Sequence, residues 1–244
     1  MKRDAEASRP DDLAALVARH GLAADQAARL RRFLATIAED PHAPTAVRDP
    51  AEAVDVHVAD SLAALAMLDE ALARGASPRV ADIGSGAGLP GIPLAVARPS
   101  VSFDLVEATR RKCAFLGDVA ERLGLTNVRV RCVRAEELPD AELRETYGVV
   151  LARALAPLAT LAEYAAPLLE QGGELIAWKG RRDAGEESAG RRAAAQVGLE
   201  PVEVRPVTPY ERSRNRHLHL YRKVRPCPQR FPRRPGKAHR NPLA

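Results

Sequence analysis

Apolar residues follow two different rhythms along the chain. Up to about residue 75 they recur at helical spacing. Leu13, Leu16 and Val17, then Leu30, Phe33, Leu34 and Ile37, predict helix over 11–39, divided at Gly21. Pro41 and Pro44 close that segment and open a loop through Pro50. Leu62, Leu65, Leu68 and Leu72 then form one stripe, predicting a third helix over 56–74 that Gly75 stops. From Arg79 short apolar runs alternate with amphipathic stretches. Strands are expected at 79–83, 101–107, 127–133, 148–152 and 173–179, and helices at 89–98, 110–123, 157–170 and 183–197.

Strand–helix alternation of this kind builds right-handed crossovers and a parallel sheet covered on both faces. Two further runs, 201–207 and 217–224, suit an antiparallel hairpin at the sheet edge. The expected architecture is therefore α/β, a Rossmann-like, doubly wound and mostly parallel seven-stranded sheet. Three parts are expected: a helical extension over 1–75, the α/β domain over 76–224 and a basic, proline-rich tail over 225–244. Five prolines in that tail argue against regular structure there.

Composition changes this picture in a few respects. No apolar run approaches the ~20 residues that cross a bilayer, and the opening Met1-Lys2-Arg3-Asp4 leads into polar residues, so a cytoplasmic location is expected. Three cysteines, Cys113, Cys132 and Cys227, without C-x-x-C spacing argue against a disulfide framework or a zinc site. The net charge of +5 resides at one end. The tail carries six Lys or Arg and no acid, so removing it leaves the body at −1. Such a tail can neutralise a phosphate backbone or stand solvated. The RNA reading predicts that removing it weakens RNA binding and leaves cofactor affinity intact. Nothing in the sequence demands more than a monomer.

The sharpest chemical signal is Asp82-Ile83-Gly84-Ser85-Gly86-Ala87-Gly88-Leu89-Pro90-Gly91, a strand end, a glycine turn and a helix start. Ligands of doubly wound sheets sit beyond the carboxyl ends of the strands. Gly86-x-Gly88-x-x-Gly91 formally fits a dinucleotide fingerprint. Against it, Asp82 is badly placed for a pyrophosphate and well placed for a sulfonium or ammonium group. Pro90 and Pro93 also remove amide donors that a pyrophosphate would use. Acids recur where the next strands end: Glu107 suits ribose hydroxyls, and Glu136, beside Ala135, suits an adenine amino group. Asp82, Gly84, Ser85, Gly86, Gly88, Leu89, Glu107, Ala135 and Glu136 thus form a candidate site for S-adenosylmethionine. At the fourth and fifth strand ends stand Arg153 and Lys179, with neither an Asn/Asp-Pro-Pro-Tyr motif nor a Pro-Cys nucleophile. Two cations suit a phosphate or purine carbonyl. A purine N-7, which carries no proton, requires positioning rather than a general base.

These residues resemble the RsmG (GidB) family of small-subunit ribosomal RNA guanine-N7 methyltransferases. The likeness is carried by the glycine loop with its Leu89-Pro90-Gly91-Ile92-Pro93 continuation, Val47-Arg48-Asp49-Pro50, His57-Val58-Ala59-Asp60-Ser61-Leu62, Arg110 to Leu116, Ala152-Arg153-Ala154, Trp178-Lys179-Gly180, Arg216-His217-Leu218 and the Phe231-Pro232-Arg233-Arg234-Pro235-Gly236 tail. One departure is His42-Ala43-Pro44-Thr45-Ala46, where the family usually reads Asn-Leu-Thr-Ser. The resemblance implies methyl transfer from S-adenosylmethionine, with Arg153 and Lys179 catalytic and Arg153 also touching the cofactor. It further implies a ribosomal RNA or 30S substrate met by His57, Arg110, Arg111, Lys112, Arg216, Arg233 and Arg234. Two other classes compete. A nicotinamide-dependent oxidoreductase would want a Tyr-x-x-x-Lys pair, and Tyr147, Tyr164, Tyr210 and Tyr221 each lack the lysine. A non-enzymatic RNA-binding protein would ignore the cofactor. A third, a small-molecule methyltransferase, is disfavoured by the basic tail and the few aromatics.

Overall fold

The computed structural model describes residues 11–139 and 142–243. The polar start at Met1 to Asp4 lies outside them. Seven strands form one sheet in the order β3-β2-β1-β4-β5-β7-β6. They are β1 (Arg79–Ile83), β2 (Ser102–Val106), β3 (Val128–Arg131), β4 (Tyr147–Arg153), β5 (Leu169–Lys179), β6 (Leu199–Val207) and β7 (Arg216–Lys223). The first five run parallel, and β7 is antiparallel to both β5 and β6. The expected hairpin is present, with β7 inserted beside β5 and β6 left as the edge.

Alternate residues of each strand feed two separate cores. Val80, Phe103, Leu105, Val149, Leu151 and Ile176 face α6 (Gly91–Ala97), α7 (Arg110–Leu123) and the N-terminal helices. Ala81, Ile83, Val106, Val150, Ala152 and Leu175 face α8 (Leu158–Ala165), α9 (Ala184–Val197) and the C-terminal segment. Leu30, Phe33 and Ile37 of α2 (Ala24–Glu39) and Leu13 and Leu16 of α1 (Asp11–Arg19) share the first core with β1 and β4, so the helical extension packs directly on the sheet.

Three expectations change here. The third helix is not continuous: α3 (Pro50–Ala53), capped by the Asp49 carboxylate through Ala51 and Glu52 N–H, runs into a wide π-turn over Val54–Ala59, then α4 (Asp60–Leu62) and α5 (Leu65–Ala73). Cys113 and Cys132 are joined as a disulfide, where the number and spacing of the cysteines argue against a disulfide framework. The β2–α7–β3 crossover returns the end of β3 beside the first turn of α7, a closeness that a sequence separation of 19 conceals. Cys227 remains free and buried. The tail, finally, is not wholly irregular: it forms α10 (Lys237–Arg240) and buries Cys227, Phe231 and Ala238 in the second core. No described helix is long and apolar enough to cross a membrane.

Candidate active site

The glycine loop leaves β1 and folds back over β2, with Gly84 and Ser85 N–H both donating to Val106 O. Asp82 is fully buried beneath it. Its Oδ2 accepts the Gly91 N–H at 3.0 Å, holding the start of α6, while its Oδ1 has no partner. Burial pushes this carboxyl up to about 6. Two glycines are required by space. A Cβ on Gly91 would lie 2.4 Å from Leu105 and 2.7 Å from Asp82 Oδ2, and Gly88, with φ +87°, would meet Ile92 at 2.5 Å. At Gly86 the space is open, since the nearest atom to a Cβ would be Gly84 O at 3.8 Å.

Glu107, directly after β2, reaches back to this loop. Its Oε2 accepts the Gly86 N–H at 3.2 Å and its Oε1 the Thr109 N–H at 2.9 Å, with Lys112 Nζ 3.9 Å away. Ala135 and Glu136 lie on a single 3-10 turn, Ala135–Glu137, just beyond β3. The three acids expected at successive strand ends are therefore aligned on one edge. Ser85 is buried, its hydroxyl donating to Asp82 O, and Leu89 is nearly so.

Across the edge, the end of β4 meets the helical extension. Arg153 donates from one nitrogen to Val56 O at 3.0 Å and Asp60 Oδ2 at 2.8 Å. Arg216, opening β7, stands 3.6 Å from Asp60 Oδ1. Trp178 Nε1 donates to Asp60 O at 2.9 Å. Asp60, not among the site residues expected from sequence, is the carboxylate that orders two arginines. The residue after Arg153 and the residue before Arg216, Ala154 and Asn215, have φ of +53° and +52°. An alanine has no side-chain polar group to favour that conformation, so the turn after β4 is strained where it aims Arg153. No motif announces the strain or the π-turn that brings Val56 O and Asp60 within reach.

Other expected site residues are placed differently. Lys179 is held by Ala156 O at 3.1 Å and an ion pair with Glu186. His57, expected to face RNA, is 3 % exposed, with Nε2 engaged by Thr45 Oγ1 and Val47 O. Burial holds its ring below the ordinary histidine range. Arg110 and Arg111 are exposed. Arg233 turns inward to Glu163, whereas Arg234 is exposed. Four buried side-chain atoms lack a hydrogen-bond partner among the described residues: His57 Nδ1, Asp60 Oδ1, Asp82 Oδ1 and Arg216 Nε. Asp60 Oδ1 and Arg216 Nε face one another as an ion pair, which leaves Asp82 Oδ1 as the carboxylate oxygen with neither hydrogen bond nor cation. No group of side chains able to hold a metal ion occurs among the described residues.

Strand order, glycine loop and edge define a Rossmann-like methyltransferase. Two solved structures share the fold. A Burkholderia thailandensis 1,6-didemethyltoxoflavin-N1-methyltransferase, crystallised with S-adenosylhomocysteine, is 21 % identical with a TM-score of 0.52, covering 84 % of this chain and 92 % of that one. A Catenulisporales acidiphilia 16S rRNA (adenine(1408)-N(1))-methyltransferase mutant is 15 % identical with a TM-score of 0.52, covering 66 % and 93 %. Within that class, residues 26–218 match the family described as rRNA small subunit methyltransferase G, and the chain belongs to this GidB family. Its relative of that name from Chloroflexus aggregans is 42 % identical over 229 residues, covering 91 % of this chain and 92 % of the relative. That of a Synechococcus strain is 39 % identical over 201 residues, covering 82 % and 77 %.

Proposed function

We propose that the protein transfers the methyl group of S-adenosylmethionine to N-7 of a guanine in small-subunit ribosomal RNA. One observation carries the reading. Asp82, fully buried where β1 enters the glycine loop, keeps one carboxylate oxygen without a partner, which a cationic nucleoside beyond the strand ends would satisfy.

The residues fit the methyl donor. A buried carboxylate oxygen with no partner suits a cationic ligand, Glu107 lies where ribose hydroxyls can be accepted, and the open face of Gly86 leaves room for backbone approach. Bound there, the donor supplies an electrophilic sulfonium methyl. Asp82 and Glu107 fix the loop, while Asp60 holds Arg153 at the end of β4 and orients it toward the incoming base. With the donor held by Asp82 and Glu107 and the base by Arg153, the N-7 lone pair would take the methyl group as its bond to sulfur broke, with the bonding electrons left on sulfur. The reaction needs no general base, so neither acid at this edge is required to take a proton: Asp60 serves to hold Arg153, and Asp82 holds the Gly91 N–H with one oxygen left for the donor. Lys179, held by Ala156 O and Glu186, braces the end of β5 beside Arg153.

The test is methyl transfer from radiolabelled S-adenosylmethionine to small ribosomal subunits of a strain lacking the equivalent enzyme, with the modified base mapped. Label at one guanine N-7 is expected. Cofactor binding without label on subunits, assembly intermediates or free RNA would overturn the substrate assignment.

A further inference from the structure

The tail meets the cofactor edge. Arg233 grips Glu163 of α8, with Nε 2.8 Å from Oε1 and 3.1 Å from Oε2, a further contact from its Nη2, and its own backbone N–H 3.0 Å from Oε1. Glu163 is wholly inaccessible to solvent, so Arg233 takes the place of water around its carboxyl group. Arg144 donates to the carbonyls of Phe231, Cys227 and Pro228, and Thr160 donates to Ala238 O at 3.2 Å. Held this way, the segment delivers the Gly236 N–H to Glu136 Oε1 at 2.7 Å. Gly236 has φ +76°, and the bond depends on that turn. On its other side Glu136 meets the Tyr164 hydroxyl, which burial and the Glu136 charge push up to about 12. The carboxylate assigned to the adenine edge is thus held between α8 and the C-terminal segment.

We propose that Arg233 and Gly236 are positioning residues for the methyl donor. The segment they anchor forms the outer support of the adenine edge and fixes the rotamer of Glu136. This rests on the reading of Glu136 as an adenine acceptor. It reverses the expectation that tail and cofactor site are independent. A free carboxylate on a single 3-10 turn samples several rotamers, and ordering it on binding costs affinity. Gly236 removes that cost in advance.

The test is calorimetric titration of the full-length chain with S-adenosylhomocysteine and with 5′-methylthioadenosine, which keeps the adenosine and lacks the amino-acid part. Arg233→Ala is expected to weaken both ligands by the same factor, about tenfold. It should raise KM for the cofactor while leaving kcat at saturation within about twofold, and Arg233→Lys should recover part of the loss. Unchanged affinity in a folded Arg233→Ala variant overturns the proposal. Should that variant not fold, hydrogen exchange on the wild type decides. S-adenosylhomocysteine slows exchange of the Gly236 amide if the segment supports the site, and an unchanged rate overturns it. A wild type that binds neither ligand would instead remove the methyl-donor reading itself.

Discussion

At the scale of single residues, Asp82 is a fully buried carboxyl with one oxygen unpartnered, the group that the proposed function assigns to the donor's positive charge. Its carboxyl has one amide donor and no solvent, so it keeps its proton to about pH 6 when folded and to about 4 when unfolded. Because the folded chain binds the extra proton, its stability falls as pH rises from about 4 to 6 and then stays lower, by roughly 3 kcal/mol. Asp82→Asn removes this dependence. The stability difference between variant and wild type, followed by urea denaturation, is expected to grow over that window in favour of the variant and then level. Cofactor affinity moves the other way, falling by at least about tenfold at neutral pH as the counter-charge for the sulfonium is lost. At pH 6, binding to the wild type should release about half a proton, seen by calorimetry in buffers of different ionisation enthalpy. Arg153 faces a different constraint. Arg153→Ala leaves Asp60 buried with its hydrogen bond lost, so a loss of roughly 3 kcal/mol of stability should accompany the loss of methyl transfer. Asp60→Asn, which keeps an oxygen for Arg153, should cost less stability than that and still lower activity.

At the scale of elements, β1 and β4 were legible because they are short, largely apolar runs buried on both faces, whereas β3 alternates valine with arginine and is only partly covered. The glycine loop was legible because space and dihedral leave few other residues possible at Gly88 and Gly91. Two elements resisted. Leu62, Leu65 and Leu68 mark which face of a helix is buried, but period alone does not reveal the wider π-turn ahead of them, which aims Val56 O and Asp60 at Arg153. The tail resisted because its prolines erase local periodicity, and its fixed conformation comes from distant partners such as Arg144 and Glu163. Arg144→Ala removes donors from three carbonyls, and a loss of about 1–3 kcal/mol is expected by denaturation, with proteolysis beginning in the tail. The disulfide was hidden for the same topological reason: a crossover, and not sequence spacing, brings Cys113 to Cys132.

At the scale of the whole molecule, charge is sorted by direction. Of the cations in the tail, Arg233 is spent internally on Glu163, while Arg230, Arg234, Lys237 and Arg240 are exposed. The first is predicted to govern cofactor binding and the others association with a phosphate backbone. Replacing Arg234, Lys237 and Arg240 by Gln should reduce the slope of log affinity for RNA against log salt by about 2–3 and leave S-adenosylhomocysteine binding unchanged. The sheet order adds a consequence in time. β7, the last strand in the chain, is an inner strand, and β5 has no neighbour on that side until residues 216–223 arrive. During synthesis the donor loop between β1 and α6 is made well before the edge it faces, and Arg216 joins Asp60 among the last events of folding. A chain halted before Arg216 would carry a complete glycine loop on an open sheet, its longest strand free to pair with that of another unfinished copy.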